Sequence, residues 1–121
     1  MRSHWIEYRG QSIFYSDFTN YRPANLDQLQ AEIQAVEEVI CRQPANSILA
    51  LTDIHGSVAS PEIVDEFKRS AVRTRPHIRR QAVIGVMGLK KIFFDAVIRV
   101  SGQNARAFEE AAEAQEWLVQ P

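Results

Sequence analysis

The sequence is poor in the features that announce a chemistry. It has one cysteine, Cys41, in 121 residues. An internal disulfide is therefore excluded, and a thiolate metal site has too few ligands. Its three histidines, His4, His55 and His77, lie far apart and show no ligand spacing, so no metal and no cofactor is expected. No apolar run reaches the ~18 residues that suggest a membrane span. Met1 to Glu7 carries no apolar signal core. Only 5 glycines and 5 prolines are present, which excludes collagen-like and low-complexity classes. Net charge is nearly absent too, with 14 basic against 15 acidic side chains. These absences point to a cytoplasmic protein with Cys41 acting as a small buried hydrophobe.

What is present is ordinary globular material: 45% apolar and 24% charged residues, enough for one domain with one core. The charge is unevenly spread. Lys68, Arg69, Arg73, Arg75, Arg79, Arg80, Lys90, Lys91, Arg99 and Arg106 are opposed by Asp95 alone between residues 68 and 106. Such a run can steer an acidic partner. It lacks the interleaved aromatics of a single-strand nucleic-acid platform, and no nucleic acid is expected.

Two runs rich in aromatic and branched residues, 4–9 and 11–18, flank Gly10 and read as a hairpin. In residues 25–42, Leu26, Leu29, Ile33, Val36 and Ile40 recur at helical spacing. Asn25 and Gln28 suit a reciprocal cap, and Glu32, Glu37 and Glu38 read as a solvated face. Residues 47–54 are almost continuously apolar, as in a strand buried on both faces. A polar loop, 55–59, leads to Ser60-Pro61, an N-cap followed by proline at the first helical position. That helix is expected over 60–74, with Ile63, Val64, Phe67 and Ala71 as its stripe. A second buried strand is expected over 81–87. A helix over 89–100 is apolar around most of its circumference, from Leu89 to Val100, and Ser101-Gly102 stops it. A short strand over 105–108 and a helix over 109–119 close the chain. The order is β-β-α-β-α-β-α-β-α. It predicts a single α/β domain with a mixed sheet that is mainly parallel after the hairpin. The strands at 47–54 and 81–87 should end on a common rim.

Several groups near that rim are candidates for function. Asp53, His55 and Ser57 alternate after the strand, but no nucleophile elbow surrounds the serine, and catalysis is not expected. Ser60 offers a phosphorylation or interaction site beside its capping role, with Ser57 a weaker second. Gly88, Lys90 and Lys91 stand where backbone N–H groups and ammonium groups could hold an anion. Two lysines in a first turn oppose the helix dipole, which suggests a nearby acid. Phe93, Phe94 and Ile98 belong to the over-apolar helix. They point to a dimer interface, a protein partner or an apolar pocket.

The hairpin Trp5-Ile6-Glu7-Tyr8 with Ile13-Phe14-Tyr15, the strand Ile48 to Asp53, the stretch Ala82 to Lys91 and the ending Phe108 to Trp117-Leu118 resemble the SpoIIAA-like group of the STAS superfamily. The resemblance implies a small α/β domain that is regulatory or protein-interacting rather than enzymatic. In some STAS domains a serine at the start of the helix after the central strand is phosphorylated, and by position this is Ser60. Those antagonists carry Asp-Ser-Ser-Gly there, whereas this chain has Val58-Ala59-Ser60-Pro61. The neighbouring CRAL-TRIO group binds lipids, which implies a lipid or small ligand as the alternative.

Overall fold

The computed structural model describes residues 1–102 and 104–121, with the backbone alone for Leu89, Val100 and Ser101. The apolar side chains expected at Leu89 and Val100 and the stop at Ser101 thus lie outside the described side chains. Five strands form one sheet: β1 (His4–Tyr8), β2 (Gln11–Asp17), β3 (Ile48–Asp53), β4 (Ile78–Ile84) and β5 (Ala105–Phe108). Four α-helices accompany them: α1 (Leu26–Ile40), α2 (Pro61–Thr74), α3 (Leu89–Ser101) and α4 (Ala111–Leu118). The strand order is β1-β2-β3-β4-β5; β1 is antiparallel to β2 and every later pairing is parallel. The expected α/β class, element order and mixed sheet are all present.

The hairpin follows from its turn. Arg9 and Gly10 both have positive φ, 51° and 77°, and Tyr8 pairs with Gln11 across them. That two-residue geometry matches the twist of the flanking strands. Because the strands add in chain order, crossovers of a single hand carry α1, α2 and α3 over the same face. Phe14, Ala50 and Ile48 of the sheet pack there with Leu29, Ile33, Val36 and Ile40 of α1 and Ile63 of α2. The opposite face is covered by α4, where Ala114 and Leu118 meet Ile13, Leu49, Leu51, Ala82 and Ile84. The strands alternate between the two cores, as the pleat requires.

Four local expectations are corrected. β4 begins at Ile78 and ends at Ile84, three residues earlier than its apolar run implied. Arg79 and Arg80, ahead of the expected strand start at residue 81, lie within β4, and Arg80 pairs in register with Leu49. Its guanidinium donates to the carbonyls of Trp117 at 2.9 Å and Gln120 at 2.7 Å and stands over the Trp117 ring. Cys41 is exposed, not buried, because the apolar stripe of α1 stops at Ile40 and Cys41 is the C-cap beyond it. Asn25 makes no side-chain cap on α1; its oxygen accepts the Arg22 N–H at 2.6 Å, closing the short 3-10 turn Pro23–Asn25.

Glu32 is the fourth correction: it is buried at 7% exposure, not solvated. Its carboxylate accepts the Ser3 N–H at 2.8 Å, the Ser3 hydroxyl at 2.7 Å and the Arg2 N–H at 3.2 Å. The segment leading into β1 is thereby fastened to α1. Burial alone would raise the carboxyl pKa, but the bonds from Ser3 and Arg2 outweigh it and hold the pKa below the ordinary value.

A group with a lowered folded pKa contributes stability that is present above its unfolded pKa and lost as pH falls through the folded one. Glu32→Gln should therefore flatten the acid limb of stability against pH. Glu32→Ala, which strands the Ser3 donors, should cost about 1–3 kcal/mol at neutral pH. Urea unfolding from pH 7 to 3 measures both. An unchanged acid limb in Glu32→Gln would show that this carboxylate does not anchor the segment.

Candidate functional site

The carboxyl ends of β2, β3 and β4 converge on one rim, as expected for the strands at 47–54 and 81–87. Asp53 stands in register with Asp17 on one side and Ile84 on the other. Beyond it the chain is stitched to its neighbours. The Ile54 N–H donates to the Ile84 carbonyl, Asn20 N–H to the His55 carbonyl and Val58 N–H to the Tyr21 carbonyl, all at 2.9–3.0 Å. Gly85 makes this approach possible. Its φ is 90°, and a Cβ there would fall 2.6 Å from the His55 backbone nitrogen.

The alternation of β3 separates the rim residues expected to act together. Thr52 faces the three-helix side, whereas Asp53 faces the α4 side. There Asp53 accepts the Tyr15 hydroxyl at 2.8 Å and meets His55 Nδ1 at 2.6 Å, with the His55 N–H at 3.0 Å. Burial pushes the Asp53 pKa upward, but the His55 N–H, the Tyr15 hydroxyl and the His55 ring more than offset it, and the net direction is down. Burial, together with the bond to Asp53, raises Tyr15 well above an ordinary phenol. Ser57 is not in this cluster. It is buried, donates to the Phe18 carbonyl at 2.5 Å and accepts the Tyr21 N–H at 2.9 Å. Both of these bonds are made inside the fold, and neither is to Asp53 or His55. Ser60 accepts the Ile63 N–H at 3.3 Å as the N-cap of α2.

On the three-helix side, α3 leans on α2 and leaves a chamber between itself and the sheet. The cavity measures about 110 Å³. Phe93, Phe94, Val97 and Ile98 of α3 form its roof, Phe67 and Ala71 of α2 one wall, and Ala50, Thr52, Gln81 and Val83 of the sheet its floor. Small residues make the room: Ala50, Ala59, Ser70 and Ala71 all line it. Gln81 Nε2 donates to Thr52 Oγ1 at 2.8 Å on the floor, which Ser16 also lines. The structure thus brings Phe93, Phe94, Ile98 and Lys90 to one space, with Ser57, Val58 and Ala59 of the 55–60 loop at its edge.

The two lysines diverge. Lys90 lines the chamber and donates to the Ile54 carbonyl at 3.3 Å, while Lys91 pairs with Asp95 at 3.4 Å on the exposed side of α3. Gly88, the N-cap residue, contributes no side chain, and the Lys90 and Lys91 amides turn back to the Met87 and Gly88 carbonyls at 3.1 Å. Much of the basic stretch is engaged internally as well: Arg69 with Glu66, Arg73 with Glu37, and Arg80 with the α4 carbonyls. Sequence reasoning missed Gln81, Thr52 and Ser16, whose only signal is polarity inside apolar strands. Among the described residues no cluster of three or more metal-ligating side chains occurs, and no helix is long and apolar enough to cross a membrane.

Gly85→Ala tests the rim. It forces an L residue to positive φ and a Cβ into the His55 backbone, so it should destabilise by about 1–3 kcal/mol from backbone strain alone. Thermal unfolding measures this, and a melting temperature equal to wild type would refute the close approach.

No family model matches the chain, and no curated protein matches it. Among solved structures it is similar to an uncharacterized protein of the DUF3478 family with a SpoIIAA-like fold from Shewanella loihica PV-4. The TM-score is 0.63 at 16% identity, covering 96% of this chain and 91% of that one. The likeness spans nearly the whole sheet and its helices, and at this identity it speaks for the fold alone. The chain has a SpoIIAA-like fold.

Proposed function

We propose that this protein is a non-enzymatic binding module that holds a small amphiphilic molecule in the chamber beneath α3. The observation that carries this reading is the chamber itself. It is apolar, lined by side chains from three helices and the sheet, and bears a few polar groups at fixed places. Ligand sites have this composition: an apolar body with a small number of orienting groups. Its volume is of the order of the ~150 Å³ apolar cavity that stays dry and takes up benzene. The same chamber accounts for the excess apolar character of α3, whose inner side faces an open space rather than a packed core. A binding rather than a catalytic role is supported by the Asp53–His55 pair, which sits on the other face of the sheet, while the Ser57 hydroxyl is bonded to the Phe18 carbonyl.

A regulatory contact with a protein partner or a second copy is the other reading, and one observation favours it. Met87 and Ile92, at the start of α3, are 70% and 64% exposed. Both are large apolar side chains left open to solvent, the kind of surface a partner would cover. Ile92→Glu should abolish such association in sedimentation velocity; a monomer in both proteins would remove the self-association reading.

The binding reading is tested with 1-octanol, a neutral amphiphile. Calorimetry should show one molecule taken up per chain, with the negative heat-capacity change of apolar burial. Ala71→Leu places a larger side chain in the wall and should weaken uptake at least tenfold in a folded protein. Undiminished uptake by folded Ala71→Leu would move the site elsewhere, and no uptake by the wild type would end the proposal.

A further inference from the structure

Among the described residues Lys90 is the one cation that lines the chamber. An ammonium has three donors. Among the described residues Lys90 makes a single hydrogen bond, 3.3 Å from the Ile54 carbonyl, and no ion pair. Its neighbour Lys91, one residue on, has a carboxylate in Asp95. A half-buried charge held by one neutral carbonyl is poorly compensated, because removal from water is repaid chiefly by an opposite charge with hydrogen bonds. The two lysines also set the charge that the chamber favours. With Lys91 neutralised by Asp95, the chamber presents one net positive charge, which suits a singly charged acid rather than a phosphate dianion. Behind Lys90 the lining is largely apolar, from Phe94 to Val83, and its polar groups, Ser16, Thr52 and Gln81 among them, are neutral. A second charged group on the ligand would find no opposite charge among the described residues there.

We propose that the ligand of the chamber is a monocarboxylic acid with an apolar alkyl or aryl tail, its carboxylate paired with Lys90 and its tail beneath α3. This inference rests on the binding reading given above and deepens it. The Lys90 Nζ keeps the Ile54 carbonyl as one acceptor and gains the carboxylate as another, so binding completes its shell without removing the existing bond. No covalent step is involved.

The test compares octanoate with 1-octanol at neutral pH by calorimetry, in wild type, Lys90→Met and Lys91→Met. Methionine keeps the apolar stem of the lysine and removes its charge. A charge-assisted bond of this type corresponds to about ten- to a hundredfold in affinity. Wild type should bind octanoate tighter than octanol by about that factor. Lys90→Met should lose the preference while still binding octanol, and Lys91→Met should keep it. Equal or weaker binding of octanoate by wild type, with octanol still bound, would overturn the carboxylate assignment and leave the chamber as the site. Failure of wild type to bind either molecule would overturn the chamber reading and this inference with it. The wild-type comparison decides the matter even if Lys90→Met does not fold.

Discussion

The structure depends on one topological constraint: four strands, β2 to β5, are laid down in chain order with parallel pairing. Crossovers of a single hand must then place α1, α2 and α3 on the same face. Two of those helices sit over the widest part of the sheet and bury it well, with Leu29 and Ile63 at 0% and 1% exposure. The third arrives at the β4–β5 side, after the wall is built. It rests on α2 and spans a floor of small and polar residues, Ala50, Thr52 and Gln81. A packed core would need larger side chains on that floor. Their absence is what makes a chamber rather than a third buried seam.

The opposite face solves a different problem. No crossover covers it, so a single short helix must. α4 buries Ala114 and Leu118 completely, and Arg80 ties its last carbonyls back to β4. Tyr8 and Arg9 of the hairpin meet Glu116 from the other side. The Asp53–His55–Tyr15 cluster belongs to this face and reads as a polar closure of the sheet edge. The chamber and this polar cluster therefore lie on the two sides of one strand, since Thr52 and Asp53 point to opposite faces.

Much of the fold was legible in the sequence because local signals and tertiary demands agreed. Ser60-Pro61 marks the start of α2, the period of Leu29, Ile33, Val36 and Ile40 marks α1, and the unbroken apolar run marks β3 as central. The failures fall where a polar residue does an interior task. Arg80 lies inside a strand because its charge is consumed by carbonyls 37 and 40 residues later. Glu32 is buried because Ser3, remote in sequence, supplies its donors. Neither bond leaves a local pattern. The site was half legible for the same reason. The apolar excess of Phe93, Phe94 and Ile98 pointed to something beyond a surface helix. The chamber, however, depends on strand order, and the divergence of Lys90 from Lys91 depends on which side of α3 meets the rim.

The account stands on the chamber beneath α3 being a place a molecule enters. Methyl-resolved NMR during titration with 1-octanol addresses this most directly. Shifts confined to the methyls of Ala50, Ala71, Val83, Val97 and Ile98 are predicted, with Leu51, Ala82 and Leu118 on the far face unmoved. Shifts centred on the far face, or confined to the exposed Met87 and Ile92, would contradict it.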